Sequence, residues 1–190
     1  MKDEPMSFNS PLPGRRWSRP LAAVALGLAL HGNAPAAPAW LDGTPNLLVV
    51  GKGEMRWFGL RIYRAVLWGE RQPFDPASGF ALQLTYLRSI SRDRLVSTSM
   101  DEMRRLGTAP LDKAGQARWA LLLRGAFTDV EPGDQLTGVN IPGYGMRVFH
   151  GDRRIADIND PALAKAFFDI WLNEKSRDPE LRRQLLGQAP

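Results

Sequence analysis

The chain has 190 residues and a formal net charge of +5, with 44% hydrophobic and 24% charged residues. This composition is typical of one globular domain with enough apolar residues for a core. Because the sequence contains no cysteine, a disulfide framework, a thiolate nucleophile and any cysteine-ligated zinc or iron–sulfur site are excluded.

The amino terminus has the pattern of an export signal. Arginines cluster in residues 15–19, an apolar run follows over residues 21–30, and the alanines of residues 34–39 supply small side chains for cleavage. The apolar run is about half of the roughly twenty residues that a membrane-spanning helix needs, so we expect no stable membrane span. We predict that residues 1–39 are a signal peptide removed on export. Residues 40–190 would then form the mature domain, in the periplasm or outside the cell.

Residues 51–70 have the pattern of two β-strands joined by a tight turn near Phe58 and Gly59. From residue 60 the side chains alternate, with Leu60, Ile62, Arg64, Val66 and Trp68 on one face and Arg61, Tyr63, Ala65 and Leu67 on the other. Both faces are mostly apolar, which is typical of a strand that is covered on both sides.

Two polar side chains, Arg56 and Tyr63, stand in these apolar surroundings. An arginine and a tyrosine close together on paired strands could clamp a carboxylate or an enolate at the bottom of an apolar pocket. The alternative is that Arg56 reaches water along its aliphatic stem and that Tyr63 is a core residue with a satisfied hydroxyl. The residues alone leave both interpretations open.

The middle of the chain continues with a strand and two helices. Residues 80–88 alternate as a half-buried strand. Ser91 is a suitable cap for a helix that ends before Gly107, and residues 111–127 carry an apolar stripe at helical spacing.

Three short strands are predicted over residues 134–141, 146–150 and 153–158. Asp160 followed by Pro161 predicts the start of the next helix, and a last short helix is predicted over residues 180–186. Strands and helices come in blocks, which predicts an α+β fold with an antiparallel sheet.

Outside the export signal the chain has 21 basic and 18 acidic residues, a net charge of 21 − 18 = +3, and the basic residues are scattered. We therefore expect no nucleic-acid partner. His150 is the one histidine of the mature chain, and no serine lies in a context that suggests a triad. The sequence lacks a phosphate-binding loop, a dinucleotide fingerprint, an HExxH motif and a nucleophile elbow, and its acidic residues have no metal-ligand spacing. We expect neither a cofactor nor a metal site.

The hairpin pattern G-x-G-x-x-R-x-x-G-x-x-x-Y-x-A-x-L-W over residues 51–68 is followed by FALQLTY, Trp119, GDQLTG, AFFDIWL and LRRQLLG. Together these motifs extend over about residues 47–187 and resemble the chalcone isomerase-like family, in its bacterial exported branch. The resemblance implies an open-faced sandwich, in which helices are layered on one face of an antiparallel sheet.

The resemblance also implies a set of ligand-binding residues. Relatives without isomerase activity bind fatty acids and hold the carboxylate with an arginine and a tyrosine, to which Arg56 and Tyr63 correspond. Arg64 follows the tyrosine where the isomerase has a threonine, which disfavours ring closure, and Tyr86 lies on the neighbouring strand. The predicted ligand-binding residues are therefore Arg56, Tyr63, Arg64 and Tyr86, with Arg56 and Tyr63 also the candidate catalytic residues.

Three functions are compatible with these observations. The favoured one is the binding of a fatty acid or other apolar carboxylate in a cleft between sheet and helices. The first alternative is an isomerase, an intramolecular lyase acting on a chalcone-like enone, since the same slot serves both tasks. The second alternative is a non-catalytic interaction protein of the cell envelope. Neither the oligomeric state nor the ligand follows from the sequence.

Overall fold

The computed structural model describes residues 38–41 and 47–188. The predicted export signal lies almost entirely outside the described residues. Among those that are described, no helix combines the length and the apolar character that crossing a membrane requires.

In the described part of the chain, six strands form one antiparallel sheet in which each strand pairs with the next along the sequence. The strands are β1 Leu48–Trp57, β2 Leu60–Gly69, β3 Phe80–Tyr86, β4 Gln135–Ile141, β5 Gly145–His150 and β6 Arg153–Ile158. The predicted turn at Phe58 and Gly59 is confirmed, since these two residues join β1 to β2.

The same described residues contain four α-helices: α1 Arg92–Leu106, α2 Lys113–Ala126, α3 Pro161–Leu172 and α4 Pro179–Leu185. Each helix begins at a capping residue whose side chain accepts a hydrogen bond from a backbone N–H of the first turn. The capping residues are Ser91, Asp112, Asp160 and Asp178, respectively. These caps satisfy donors that a helix start otherwise leaves unpaired. The predicted ends of α1 at Ser91 and Gly107, and the start of α3 at Asp160 and Pro161, are confirmed.

The helices cover one face of the sheet, and the main core lies between them. Side chains that alternate along β2 and β3 meet apolar stripes of α1, α2 and α3 there, including Leu67, Leu84, Met103, Leu123 and Phe167. This arrangement confirms the predicted α+β fold with helices layered on one face.

A smaller apolar cluster lies on the opposite face of the sheet. A short 3₁₀ turn at Ala39–Leu41 brings Trp40 against Trp68 of β2, with ring centroids 5.2 Å apart and the rings edge to face. The apolar character of both faces of β2 is explained by these two clusters.

Helix α4 packs directly on the edge strand β1 at Gly51 and Gly53. A β-carbon on Gly51 would lie 2.5 Å from the carbonyl oxygen of Leu185 and closer still to that of Gln184. Gly51 therefore lets the helix backbone approach the strand backbone, and Gly53 leaves room for the side chains of Leu181 and Gln184. Sequence reasoning missed this role of the G-x-G motif.

Candidate functional site

Tyr63 lies on the helix-covered face of β2. Its hydroxyl oxygen accepts a hydrogen bond of 2.9 Å from the indole Nε1–H of Trp171 on α3, and its ring meets that of Tyr86 edge to face at 5.9 Å. Burial raises the pKa of the Tyr63 phenol well above its ordinary value, although the hydrogen bond from Trp171 acts in the opposite direction. Burial also raises the pKa of Tyr86. Both phenols are therefore protonated at neutral pH.

Arg56 lies near the end of β1 in different surroundings. Its side chain is 61% exposed, and its guanidinium group forms an ion pair of 2.9 Å with Glu54. Glu54 also pairs with Arg61 at 2.5 Å, and the hydrogen bond from Arg61 is the main reason why the pKa of Glu54 is lowered. Arg56 borders a hollow of about 390 Å³ that lies beside Trp57 and does not include Tyr63.

Arg64 is exposed and lies on the other face of the sheet from Tyr63, because successive side chains of β2 point to opposite faces. The structure thus brings Tyr63 and Tyr86 together beneath the helices. It places Arg56 at the exposed end of the hairpin and Arg64 on the opposite face.

A larger cleft opens at the other end of β2, where Gly69 pairs with Phe80. It has a volume of about 810 Å³ and lies between the ends of β3 and β4, the loop after β2, and helices α3 and α4. Its apolar lining includes Phe74, Phe80, Ile141, Phe168, Leu172 and Leu186. Three of these rings form a continuous floor, with Phe80 edge to face with both Phe74 and Phe168 at 5.3 and 4.8 Å.

Three charged side chains line this cleft: Lys165, Asp169 and Arg182. Lys165 and Asp169 form an ion pair with each other at 2.7 Å. The Nε–H of Arg182 donates a hydrogen bond of 2.8 Å to the carbonyl oxygen of Leu172, which fixes the guanidinium group at the cleft wall. Among the described residues, no carboxylate lies within ion-pair distance of Arg182.

Sequence reasoning missed Arg182 as a ligand-binding candidate. A signal was present, because Arg182 and Leu186 are four residues apart and so share one side of the last helix. Which cavity that side faces depends on how α4 packs against the sheet, and a single helix does not specify this. No group of three or more His, Asp or Glu side chains that could hold a metal ion occurs within the described ranges.

Comparison with known proteins identifies the family. The model of the chalcone isomerase-like family matches residues 51–187. This chain belongs to that family. The match begins at the G-x-G motif of β1 and ends just after α4, so it contains the cleft lining from the β2–β3 loop to Gly187.

Two relatives illustrate the similarity. A protein of Haemophilus influenzae, named only as uncharacterized, is 25% identical over 141 residues, covering 74% of this chain and 68% of its own length. The crystal structure of a fatty-acid binding protein of Arabidopsis thaliana is similar with a TM-score of 0.56 and 12% identity, covering 75% of this chain and 88% of that one. At this identity the second comparison shows a shared fold. The family predicted from the sequence and its fold are both confirmed.

Proposed function

We propose that this protein binds a fatty acid, or another apolar carboxylate, in the cleft between the sheet and helices α3 and α4. The observation that carries the proposal is Arg182, a half-buried cation with no carboxylate partner among the described residues, on the wall of a mainly apolar cleft. A ligand carboxylate would supply the missing partner through a charge-assisted hydrogen bond.

The cleft also has suitable size and lining for an acyl chain. Its volume of about 810 Å³ lies within the range of roughly 300–1,000 Å³ that is usual for small-molecule sites. Each methylene group buried on the aromatic floor would contribute about 0.8 kcal/mol. A chain of moderate length would therefore supply most of the binding free energy, and Arg182 would determine which end of the ligand lies at the wall.

The structural neighbour from Arabidopsis thaliana supports this class of ligand, because it is a fatty-acid binding protein. The low identity means that its binding residues are not carried over to this chain. The proposal instead rests on the charges and the apolar lining described above.

The test is to measure fatty-acid binding by purified protein and by matched variants, using displacement of a fluorescent fatty acid. Arg182→Gln should weaken binding about tenfold or more, because a charged partner is lost. Ala77→Trp places a bulky ring at an exposed position of the cleft lining and should also block binding. The matched control is Arg183→Gln, since Arg183 is adjacent in α4, pairs with Glu180 and does not line the cleft.

The same assay distinguishes the cleft from the site predicted by sequence. If Arg56→Gln and Tyr63→Phe abolish binding while Arg182→Gln and Ala77→Trp leave it unchanged, the ligand lies beside the hairpin and the cleft is excluded. If wild-type protein neither carries an extractable apolar acid nor binds the fluorescent one, the binding function itself is wrong.

Isomerase activity is the alternative function, and it can be tested with the same purified protein. A chalcone-like enone is incubated with wild-type protein and with Tyr63→Phe, and cyclisation is compared with the spontaneous rate. Acceleration that Tyr63→Phe abolishes would replace the binding proposal with catalysis.

We also propose that the protein is exported. The positive cluster, the short apolar run and the alanines in residues 1–39 support secretion to the periplasm or beyond. Fractionation of cells that express the full chain should place a shortened protein outside the cytoplasm. A full-length protein found only in the cytoplasm would refute this part.

A further inference from the structure

The tip of the β1–β2 hairpin is an apolar protrusion. Phe58 is 89% exposed, Trp57 is 45% exposed and Leu60 is 50% exposed. They are consecutive but for Gly59 and form one small patch, in which the rings of Trp57 and Phe58 meet edge to face at 5.0 Å. Exposed apolar side chains grouped in this way often mark an interaction surface.

The backbone at the tip is unfavourable for the residue that occupies it. Phe58 has φ 47°, and among the described residues no other non-glycine residue has a positive φ. Gly59 follows it with φ 78°. Two-residue hairpin turns of this kind favour asparagine, aspartate or glycine at the first position, and a bulky residue there is disfavoured. Apart from the neighbouring ring of Trp57, folding gives the Phe58 side chain little burial in return. The fold alone does not explain a phenylalanine at this position.

The hairpin that carries the patch has a positive net charge. Residues 51–64 of the hairpin contain four basic side chains, Lys52, Arg56, Arg61 and Arg64, and one acidic side chain, Glu54, a net charge of 4 − 1 = +3. A further cation, Arg177, lies over the ring of Trp57 at 5.7 Å. Glu54 pairs with both Arg56 and Arg61, and these three groups together keep a net charge of 2 − 1 = +1. An apolar tip on a hairpin of net positive charge is complementary to a surface with an apolar interior and an anionic boundary.

We propose that this tip docks on the surface of an anionic phospholipid bilayer. Trp57 and Phe58 would lie among the headgroups and upper acyl chains, where aromatic side chains are enriched. The arginines would contact lipid phosphates, which the planar guanidinium group binds well. The tip projects from a turn and is convex, so it suits a deformable surface without requiring a preformed pocket in a partner.

The docking surface is separate from the proposed ligand cleft, and its assignment does not depend on that function. The tip lies at one end of β2, while Phe80, which pairs with Gly69 at the other end of β2, lines the cleft. A protein docked by its tip would therefore keep the cleft open.

The experiment is co-sedimentation of the purified protein with vesicles of phosphatidylcholine alone or mixed with phosphatidylglycerol. The key variant is Phe58→Asn, because an Asn-Gly turn is the preferred sequence for this geometry and folding should be preserved or improved. We expect about tenfold weaker binding to the anionic vesicles, since the most exposed apolar side chain of the tip is lost. The matched control is Leu111→Asn, which removes another apolar side chain that is 99% exposed, and it should leave binding unchanged.

The contribution of positive charge to vesicle binding is tested with the double variant Arg56→Gln and Arg61→Gln. This variant should lose most of the preference for anionic over neutral vesicles, by about tenfold or more. Its control is Arg153→Gln combined with Arg154→Gln, two exposed arginines on the far edge strand β6. Added salt should weaken wild-type binding.

Three results would overturn the proposal. One is that wild-type protein does not co-sediment with anionic vesicles. Another is that Phe58→Asn and Leu111→Asn bind equally well. The third is that wild-type protein binds no vesicles but captures a protein partner that the tip variants do not capture. This result would assign the tip to a protein interface.

Discussion

The indole Nε1–H of Trp171 donates a hydrogen bond of 2.9 Å to the hydroxyl oxygen of Tyr63. Trp171 is near the end of α3 and Tyr63 is on β2, so a single polar contact joins residues that are 108 positions apart in the chain. It satisfies a donor in the apolar layer between sheet and helices, where an unpaired N–H would be costly. The tyrosine thus has a structural role that is independent of any ligand.

Replacing Tyr63 by Phe should destabilise the fold. The change leaves the Trp171 N–H without its acceptor, and we expect the free energy of unfolding to fall by about 1–3 kcal/mol. Urea denaturation followed by circular dichroism measures the difference. Tyr144→Phe removes a hydroxyl that hydrogen-bonds Asp157 in a more accessible position, where water can replace it, and should therefore cost less than Tyr63→Phe. Equal losses in the two variants would show that burial adds nothing to the hydrogen bond between Tyr63 and Trp171.

Stability should decrease in alkaline solution because the two buried phenols resist ionisation. Burial raises the pKa of Tyr63 and of Tyr86 in the folded state. Their contribution is complete below the unfolded pKa of about 10 and is lost as pH rises above it, because the unfolded chain releases these protons first. Denaturation series between neutral pH and pH about 11 should show this decline, and Tyr86→Phe should make it shallower. A stability that stays constant through this range would contradict the assignment.

Local patterns in the sequence predicted much of the fold. Ser91 and Gly107 bound α1, Asp160 and Pro161 begin α3, and the turn at Phe58 joins the first two strands, because each feature depends on residues close in sequence. Alternation along β2 also placed Tyr63, Ala65 and Leu67 on one face, which the structure confirms.

The candidate site was less predictable because it depends on contacts between distant segments. The pairing of β1 with β2 is irregular between Met55 and Arg56, so alternation along β1 does not determine where Arg56 points. The cleft arises where α3 and α4 meet the end of the sheet, and Arg182 gains its position through the carbonyl oxygen of Leu172. No local pattern of residues specifies that meeting point.

Gly51→Ala should destabilise the packing of α4 on β1. The new methyl group would overlap the carbonyl oxygens of Gln184 and Leu185, which belong to a helix backbone and have little freedom to move. We expect a loss of about 2 kcal/mol or more. The control is Gly125→Ala in α2, where a β-carbon meets no heavy atom within 4 Å and helix propensity predicts a gain of about 0.5–1 kcal/mol. Thermal melts of both variants should move in opposite directions, and a shared upward shift would show that α4 is not held this close to β1.

Asp160 holds three groups together, and its removal should be more costly than the loss of an ordinary helix cap. Its carboxylate accepts hydrogen bonds from the backbone N–H of Leu163 at 2.9 Å and from the indole of Trp119 at 3.2 Å, and it pairs with Arg118 at 2.9 Å. Asp160→Ala should lower the free energy of unfolding by about 2–4 kcal/mol, because it removes the cap and leaves a buried indole N–H unpaired.

Two comparison variants separate these contributions. Asp160→Asn keeps an oxygen for the cap and should cost less than Asp160→Ala. Asp178→Ala removes only the cap of α4 and should cost about 1 kcal/mol. If both alanine variants lose the same amount, the indole and arginine contacts of Asp160 add nothing to the cap.

Glu102 should make stability sensitive to acid. This nearly buried carboxylate on α1 pairs with Arg105 at 2.8 Å and with Arg177 at 2.6 Å. Burial alone would raise the pKa of Glu102, but the hydrogen bonds from Arg177 and Arg105 outweigh it and hold the pKa below its ordinary value. Stability from this group is therefore complete above the unfolded pKa of about 4.3 and is lost as pH falls through the lower folded value.

Glu102→Gln tests this expectation. It also tests whether Glu102 holds Arg177 against Trp57 at the hairpin tip. At neutral pH the variant should lose about 1–3 kcal/mol, and its stability should fall less steeply than that of wild type below pH about 4.5. Because Arg177 also lies over the ring of Trp57, freeing its guanidinium group should change the fluorescence of that indole. Glu180→Gln, which breaks the exposed pair with Arg183, is the control and should leave both the acid profile and the fluorescence unchanged. An acid profile of Glu102→Gln that is parallel to wild type would show that other carboxylates set the acid limit.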